Sequence, residues 1–208
     1  MVFHKVPTWI QQLFPLRVWK KPEGKEEIYL TFDDGPVPGV TDYVLSELSK
    51  KNMKATFFVV GDNVKKHLSL AREILDAGHS LGNHTYNHLH GWKTNNQQYF
   101  QNIKKCDQIL WDELGVKTKL FRPPYGAMKY SQAKLILRSK EVIMWDVLSG
   151  DYDPRLSKER ILKKLIYHSS DGGILLFHDQ EKTAGILPQF LPEYLDFIQN
   201  RDWKTTLL

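Results

Sequence analysis

The sequence predicts an α/β fold, a TIM-barrel-like (β/α) barrel of about seven strand–helix units around a parallel sheet. Two observations carry this expectation. Strand and helix signals alternate almost from end to end, and such alternation buries a parallel sheet beneath helices. Polar residues also follow the strand signals one after another: Asp33-Asp34, Gly61-Asp62, the segment 83–88, Arg122, Asp151 and His178-Asp179. Residues at the C-terminal ends of parallel strands converge on one mouth, where barrels of this kind hold their chemistry.

The elements follow in order. Ile28–Phe32 reads as a strand that stops at Asp33-Asp34-Gly35-Pro36. A helix with Val44, Leu45 and Leu48 on one face leads to a strand over 55–60, ended by Gly61-Asp62. Another helix spans about 70–77 with Gly78 as its stop, and a short strand near 79–81 enters a His-rich segment. Between Asn95 and Leu114, the residues Tyr99, Ile103, Cys106, Ile109, Leu110 and Leu114 form one helical face, and Gly115 ends it. Strand signals return at 119–121, 142–145 and 173–177, with a helical stripe of Ile161, Leu162, Leu165 and Ile166 between the last two. A final helix carries Leu187, Phe190, Leu191, Tyr194, Leu195 and Ile198, and 203–208 reads as a closing strand. With no repeat and no Gly/Ser linker, one domain is expected over 1–208, with a core of about 28–203 and an N-terminal extension of about 1–27. In that extension Phe3, Trp9, Ile10, Leu13 and Phe14 form an apolar set expected to pack on the domain.

Composition narrows the function classes. With 41% hydrophobic and 25% charged residues the chain is globular rather than disordered. The net charge of +5 comes from lysine pairs spread along the chain, such as Lys50-Lys51 and Lys104-Lys105, beside predicted helices. These read as solvated faces, and no basic stripe is interleaved with aromatics, which argues against nucleic acid as a partner. The single cysteine, Cys106, falls on an apolar stripe and reads as a packing residue. No apolar run approaches the roughly 18 residues of a membrane span. Pro7, Gln11, Gln12, Pro15 and Arg17 interrupt the N-terminus, so no signal peptide is read and a cytoplasmic location is expected.

Two clusters stand out. Adjacent carboxylates at a strand end, Asp33 and Asp34, repel one another unless a cation relieves them; a polar Asp-Gly turn is the plainer reading. His84 and His88 stand at i and i+4, so on a helical turn both rings face the same side. Two imidazoles and one carboxylate make a common zinc set with an open position, and Asp34 supplies the carboxylate. Alone, the histidines have a second reading as exposed polar residues of a loop.

Thr31–Pro36, His84–His88, Arg122–Gly126, Trp145–Tyr152 and Ile174–Asp179 together resemble, in order, the five motifs of the polysaccharide deacetylases, carbohydrate esterases of the nodulation type. The resemblance implies a distorted (β/α) barrel and hydrolytic N-deacetylation of sugars such as N-acetylglucosamine in chitooligosaccharide or peptidoglycan. It implies a divalent metal on Asp34, His84 and His88. Zinc suits these ligands, and cobalt or nickel could substitute. It further implies Asp33 as general base, Arg122 as the partner that orients it, and Tyr125 as an oxyanion donor through its backbone N–H. His178 matches the general acid, Asp151 its carboxylate partner, and Tyr152 and Leu176 the wall of the acetyl pocket. The chemistry needs such parts: an amide is a poor electrophile, and its amine leaves only when protonated.

Two residues depart from the family pattern. Leu89 follows His88 where the family has proline, and Tyr152 follows Asp151 where it has tryptophan. Asp146 is a further carboxylate with no assigned role, and His4, His67, His79, His90 and His168 match no motif. The resemblance specifies chemistry more tightly than substrate. Acetyl-xylan, a non-sugar amide, or a catalytically silent carbohydrate binder are the alternatives it leaves.

Overall fold

A computed structural model describes residues 4–208. Its elements are α1 (Thr8–Leu13), β1 (Glu27–Asp33), α2 (Thr41–Lys50), β2 (Ala55–Val59), α3 (Gly61–Lys66), α4 (Leu68–Asp76), β3 (Ser80–Asn83), α5 (Asn96–Leu114), β4 (Leu120–Phe121), α6 (Tyr130–Ile136), β5 (Glu141–Val142), β6 (Val147–Leu148), α7 (Lys158–His168), β7 (Ile174–His178), α8 (Leu187–Asn200) and β8 (Lys204–Thr205). The strands form a curled, wholly parallel sheet in the order β5-β4-β3-β2-β1-β7-β6, with β8 paired to the start of β1. This is the (β/α) barrel that the alternation predicts, distorted as the resemblance implies.

The periodicities explain the layers. Along β1, Ile28, Leu30 and Phe32 join the helix-side core, where Phe32 stacks between Phe57 and Phe177. The alternate residues Tyr29, Thr31 and Asp33 face the inside of the curl, as a period of two requires. The stripes Val44/Leu45/Leu48, Ile161/Leu165 and Leu187 to Ile198 are all buried beneath the helices. Helix α5 starts where Asn95 accepts the Gln98 N–H, and it ends at Gly115 in the left-handed conformation, the stop that the sequence predicts. Cys106 is fully buried on this helix, and burial pushes its thiol up to about 12, so it is a packing group.

The structure corrects several expectations. Helices α3 and α6 and strand β6 were not read from the sequence. The strand expected over 142–145 is confined to Glu141–Val142, with Ile143 in an isolated bridge to Val18. The extension does pack, but not through the expected residues. Phe3 lies outside the described residues, Trp9 and Leu13 are mostly exposed, and only Ile10 of that set packs on the core, beside the buried Val6 and Trp19.

Hydrogen bonding explains why the extension docks. Edges β5 and β6 are not paired to each other and would leave open backbone groups. Val18 exchanges backbone hydrogen bonds with Val142 and Met144, Lys20 bridges Gly173, and Leu148 donates to the His4 carbonyl. Lys5 adds an ion pair of 2.6 Å to Asp146, which accounts for that otherwise unassigned carboxylate. The extension thus lies across the seam of the barrel. Among the described residues, no helix is long and apolar enough to cross a membrane.

Candidate active site

The strand register brings the chemistry together. On β1 and β7, Asp33 pairs in register with His178, so both side chains reach the same mouth from neighbouring strands. The loop after β1 carries Asp34, the loop after β3 carries His84 and His88, and the turn after β4 carries Tyr125. A cleft of about 630 Å³ opens there. Asp33, Asp34, His84, His88, Tyr125, Tyr152, Leu176 and His178 all line it, while Arg122 and Asp151 stand behind two of them.

Asp34, His84 and His88 each turn a donor atom inward, all within 4.8 Å of one another. The Asp34 Oδ1 lies 2.9 Å from His88 Nε2 and 3.4 Å from His84 Nε2. That oxygen is buried without a hydrogen-bond partner. Burial works against ionisation of Asp34, but the two histidines and the charge of His178 outweigh it and hold the carboxyl well below its usual range. An orphaned carboxylate oxygen between two imidazoles fits a divalent cation. Support continues outward: His84 Nδ1 lies 2.8 Å from the Arg122 carbonyl, which leaves Nε2 as the inward lone pair.

The two histidines do not sit on a helical turn, as their spacing suggested. Residues 84–88 form a loop in which Thr85 and His88 have φ of 66° and 54°. Left-handed backbone at a β-branched residue is costly, and side chains hold it in place. Asn83 Oδ1 accepts the Thr85 N–H, and Asn102, from α5, accepts those of Tyr86 and Asn87. The Leu89 N–H donates to Thr85 Oγ1 over 3.0 Å, a bond that proline in its place could not make. Asp34 (φ 83°) and Tyr125 (φ 60°) are strained in the same way, so positive φ gathers around the mouth. Asn63 steadies the Asp34 carbonyl.

Arg122 is fully buried and reads the interior of the curl. Its guanidinium donates to Asp33 Oδ1 and to Thr31 Oγ1, each over 2.7 Å, and to the carbonyls of Met144 and Ile143, and it lies over the Phe58 ring. Burial lowers the arginine, and the Asp33 carboxylate beside it opposes this. Across the cleft, Asp151 uses both oxygens on His178, one to Nδ1 and one to the backbone N–H, each over 2.8 Å. Burial would lower this imidazole, but Asp151 dominates and pushes it up to about 9. Tyr152, in place of the family's tryptophan, packs edge-on against His178. Leu176 shares the cleft wall with Trp145 and Leu148, neither of which the sequence reading singled out.

Asp179 is buried one residue beyond His178. It accepts the Gly35 N–H and the Thr41 hydroxyl, so it ties the Asp34 loop to the end of β7. Burial raises it to about 8. A β-carbon on Gly35 would meet Asp179 Oδ2 at 2.0 Å, so glycine is required there. Of the unmatched histidines, His79 is buried and accepts the Ala55 N–H, while His90 stacks on Tyr125.

The polysaccharide deacetylase family profile matches residues 20–141. The peptidoglycan-N-acetylglucosamine deacetylase PgdA of Listeria monocytogenes is 36% identical over 164 residues, which are 79% of this chain and 34% of that protein. The chain therefore spans about a third of the length of that relative. A peptidoglycan-N-acetylglucosamine deacetylase of Bacillus cereus is 32% identical over 185 residues, covering 84% of each chain. The solved structure of the Bc1960 peptidoglycan N-acetylglucosamine deacetylase superposes with a TM-score of 0.83 at 28% identity, covering 98% of this chain and 95% of that one. With the profile and the Bacillus relative matching over most of the chain, this protein belongs to the polysaccharide deacetylase family.

Proposed function

We propose that this protein hydrolyses the acetamido group of N-acetylated sugar residues, in peptidoglycan or chitooligosaccharide, to a free amine and acetate. The observation that carries the reading is the pairing of two differently supported groups on neighbouring strands. Asp33 is held by Arg122 and His178 by Asp151, around the Asp34/His84/His88 set in one cleft. The names of the relatives support the substrate class.

A divalent cation, zinc by its fit to the ligands, would polarise the acetyl carbonyl and acidify a water when held by Asp34, His84 and His88. Asp33 accepts the proton of the attacking water, aimed by its hydrogen bond from Arg122. The strained Tyr125 turn offers its backbone N–H to the oxygen that becomes negative. His178, charged through Asp151, gives a proton to the nitrogen as the C–N bond breaks. Leu176, Leu148 and Trp145 supply an apolar wall for the acetyl methyl. One water is consumed, and acetate and the amine leave.

The test is release of acetate and free amine from N-acetyl-chitooligosaccharides and from peptidoglycan glycan, followed against pH. Because His178 must be protonated to act and is raised to about 9, activity is expected to persist through neutral pH and fall as pH passes about 9. In Asp151→Asn the raising carboxylate is lost, so that alkaline limb should move down toward the ordinary histidine value of about 6.5. An unchanged limb in this variant would remove His178 from the proposed role. Release of acetate only from acetyl esters would replace the amide reading.

A further inference from the structure

A line of aromatic rings runs from the metal-ligand set to the outside of the cleft. His88 contacts Tyr125 at 4.7 Å between ring centroids, Tyr125 stacks on His90 at 5.0 Å, and His90 meets Trp92 at 5.9 Å. Tyr125 lines the cleft, and His90 and Trp92 follow it in the line of rings. As residues, Trp92 is 64% exposed and Tyr125 65%.

The turn that carries Trp92 is firmly held. Trp92 Nε1 donates to the Met128 carbonyl over 2.9 Å. Gln132 is fully buried, and its amide donates to the carbonyls of Gly91 and Thr94 while its oxygen takes the Lys129 N–H. Lys129 Nζ adds a second bond to Thr94. Gly91 is packed so closely that a β-carbon would meet the Ala127 oxygen at 2.5 Å and the Met128 Cα at 2.8 Å. A buried glutamine and a sterically locked glycine thus hold the turn of a tryptophan that is mostly exposed. Scattered exposed apolar side chains need no explanation, but a tethered, exposed tryptophan joined to the cleft by a line of ring contacts is an arrangement that presents area to a ligand at low entropic cost.

Resting on the carbohydrate reading above, we infer that Trp92, reached through Tyr125 and His90, is the platform of a further sugar subsite, which stacks on a residue of the glycan chain beyond the one being deacetylated. The occupant is a pyranose ring, since its C–H face matches an indole face and its hydroxyls stay solvated at this open rim. The subsite makes the protein favour chains over single sugars.

The test compares wild type, Trp92→Ala and Trp92→Phe on N-acetyl-chitopentaose and on the shortest oligomer that the wild type deacetylates. Trp92→Ala should lower kcat/KM on the pentamer about tenfold, mainly through KM, and leave the shortest oligomer unchanged. The unchanged rate also shows that the fold is intact. Trp92→Phe keeps a ring face but loses the bond to Met128, and it should restore most of the pentamer rate. Equal losses on both lengths, or no loss on the pentamer, would overturn the subsite and leave the deacetylase reading standing. A wild type that releases acetate from no glycan would overturn both.

Discussion

Replacing Asp33 by asparagine is expected to leave a folded, cation-binding protein whose turnover is about 10²–10⁴-fold lower. Asparagine keeps an oxygen for Arg122 and for the packing beneath β1, so the interior changes little. What it lacks is the basic lone pair that accepts the proton of the attacking water. The loss should therefore appear in kcat with little change in KM. Metal content measured on the purified variant should match that of wild type, because Asp34, His84 and His88 form the donor set without Asp33. Full activity in this variant would assign the base elsewhere.

Arg122 carries the largest expected effect on stability. It is buried without exposure and donates to Asp33, Thr31 and two carbonyls at once. Arg122→Leu leaves the Asp33 charge buried and unpaired and orphans those acceptors. Breaking one side of a buried pair costs about 3–5 kcal/mol. For a chain of this size that corresponds to a fall in Tm of roughly 6–20 °C. Arg122→Lys should recover little, since a single ammonium cannot span acceptors arranged for a planar fork. In an Asp33→Asn background the leucine substitution should cost clearly less, because the unpaired charge is gone. Thermal unfolding of the four proteins measures that coupling; additive losses would mean that the two residues do not act as a pair.

How much of this was legible in the sequence follows from the length and period of each element. Strand β1 and helices α5 and α8 have enough residues for their periods to show, and β1 also tells which side Thr31 and Asp33 face. Strand β6 has two residues, too few for any alternation, and α3 has six, opened by Gly61-Asp62-Asn63, which reads as a turn. The pairing of His84 with His88 was legible in spacing, but its conformation was not. Spacing of i and i+4 suits a helical turn, whereas Asn83 and Asn102 supply hydrogen bonds that hold a strained loop instead. Asn102 lies on a distant helix, and nothing in its local sequence marks it. The role of Thr31 could have been found, because it stands two residues before Asp33 on the same strand face. The docking of the extension was expected, but through apolar residues. Backbone pairing across the β5–β6 seam decides it, and a hydrophobic pattern does not record that.

The central claim is that Asp34, His84 and His88 hold a cation without which the amide is not cleaved. The most direct measurement is acetate release from N-acetyl-chitooligosaccharides by protein stripped with a chelator and then titrated with zinc, beside His84→Ala treated in the same way. The account predicts no release from stripped protein, restoration that saturates at one zinc per chain, and no restoration in His84→Ala at the same concentrations. Full release from the stripped protein, or equal restoration in His84→Ala, would contradict it.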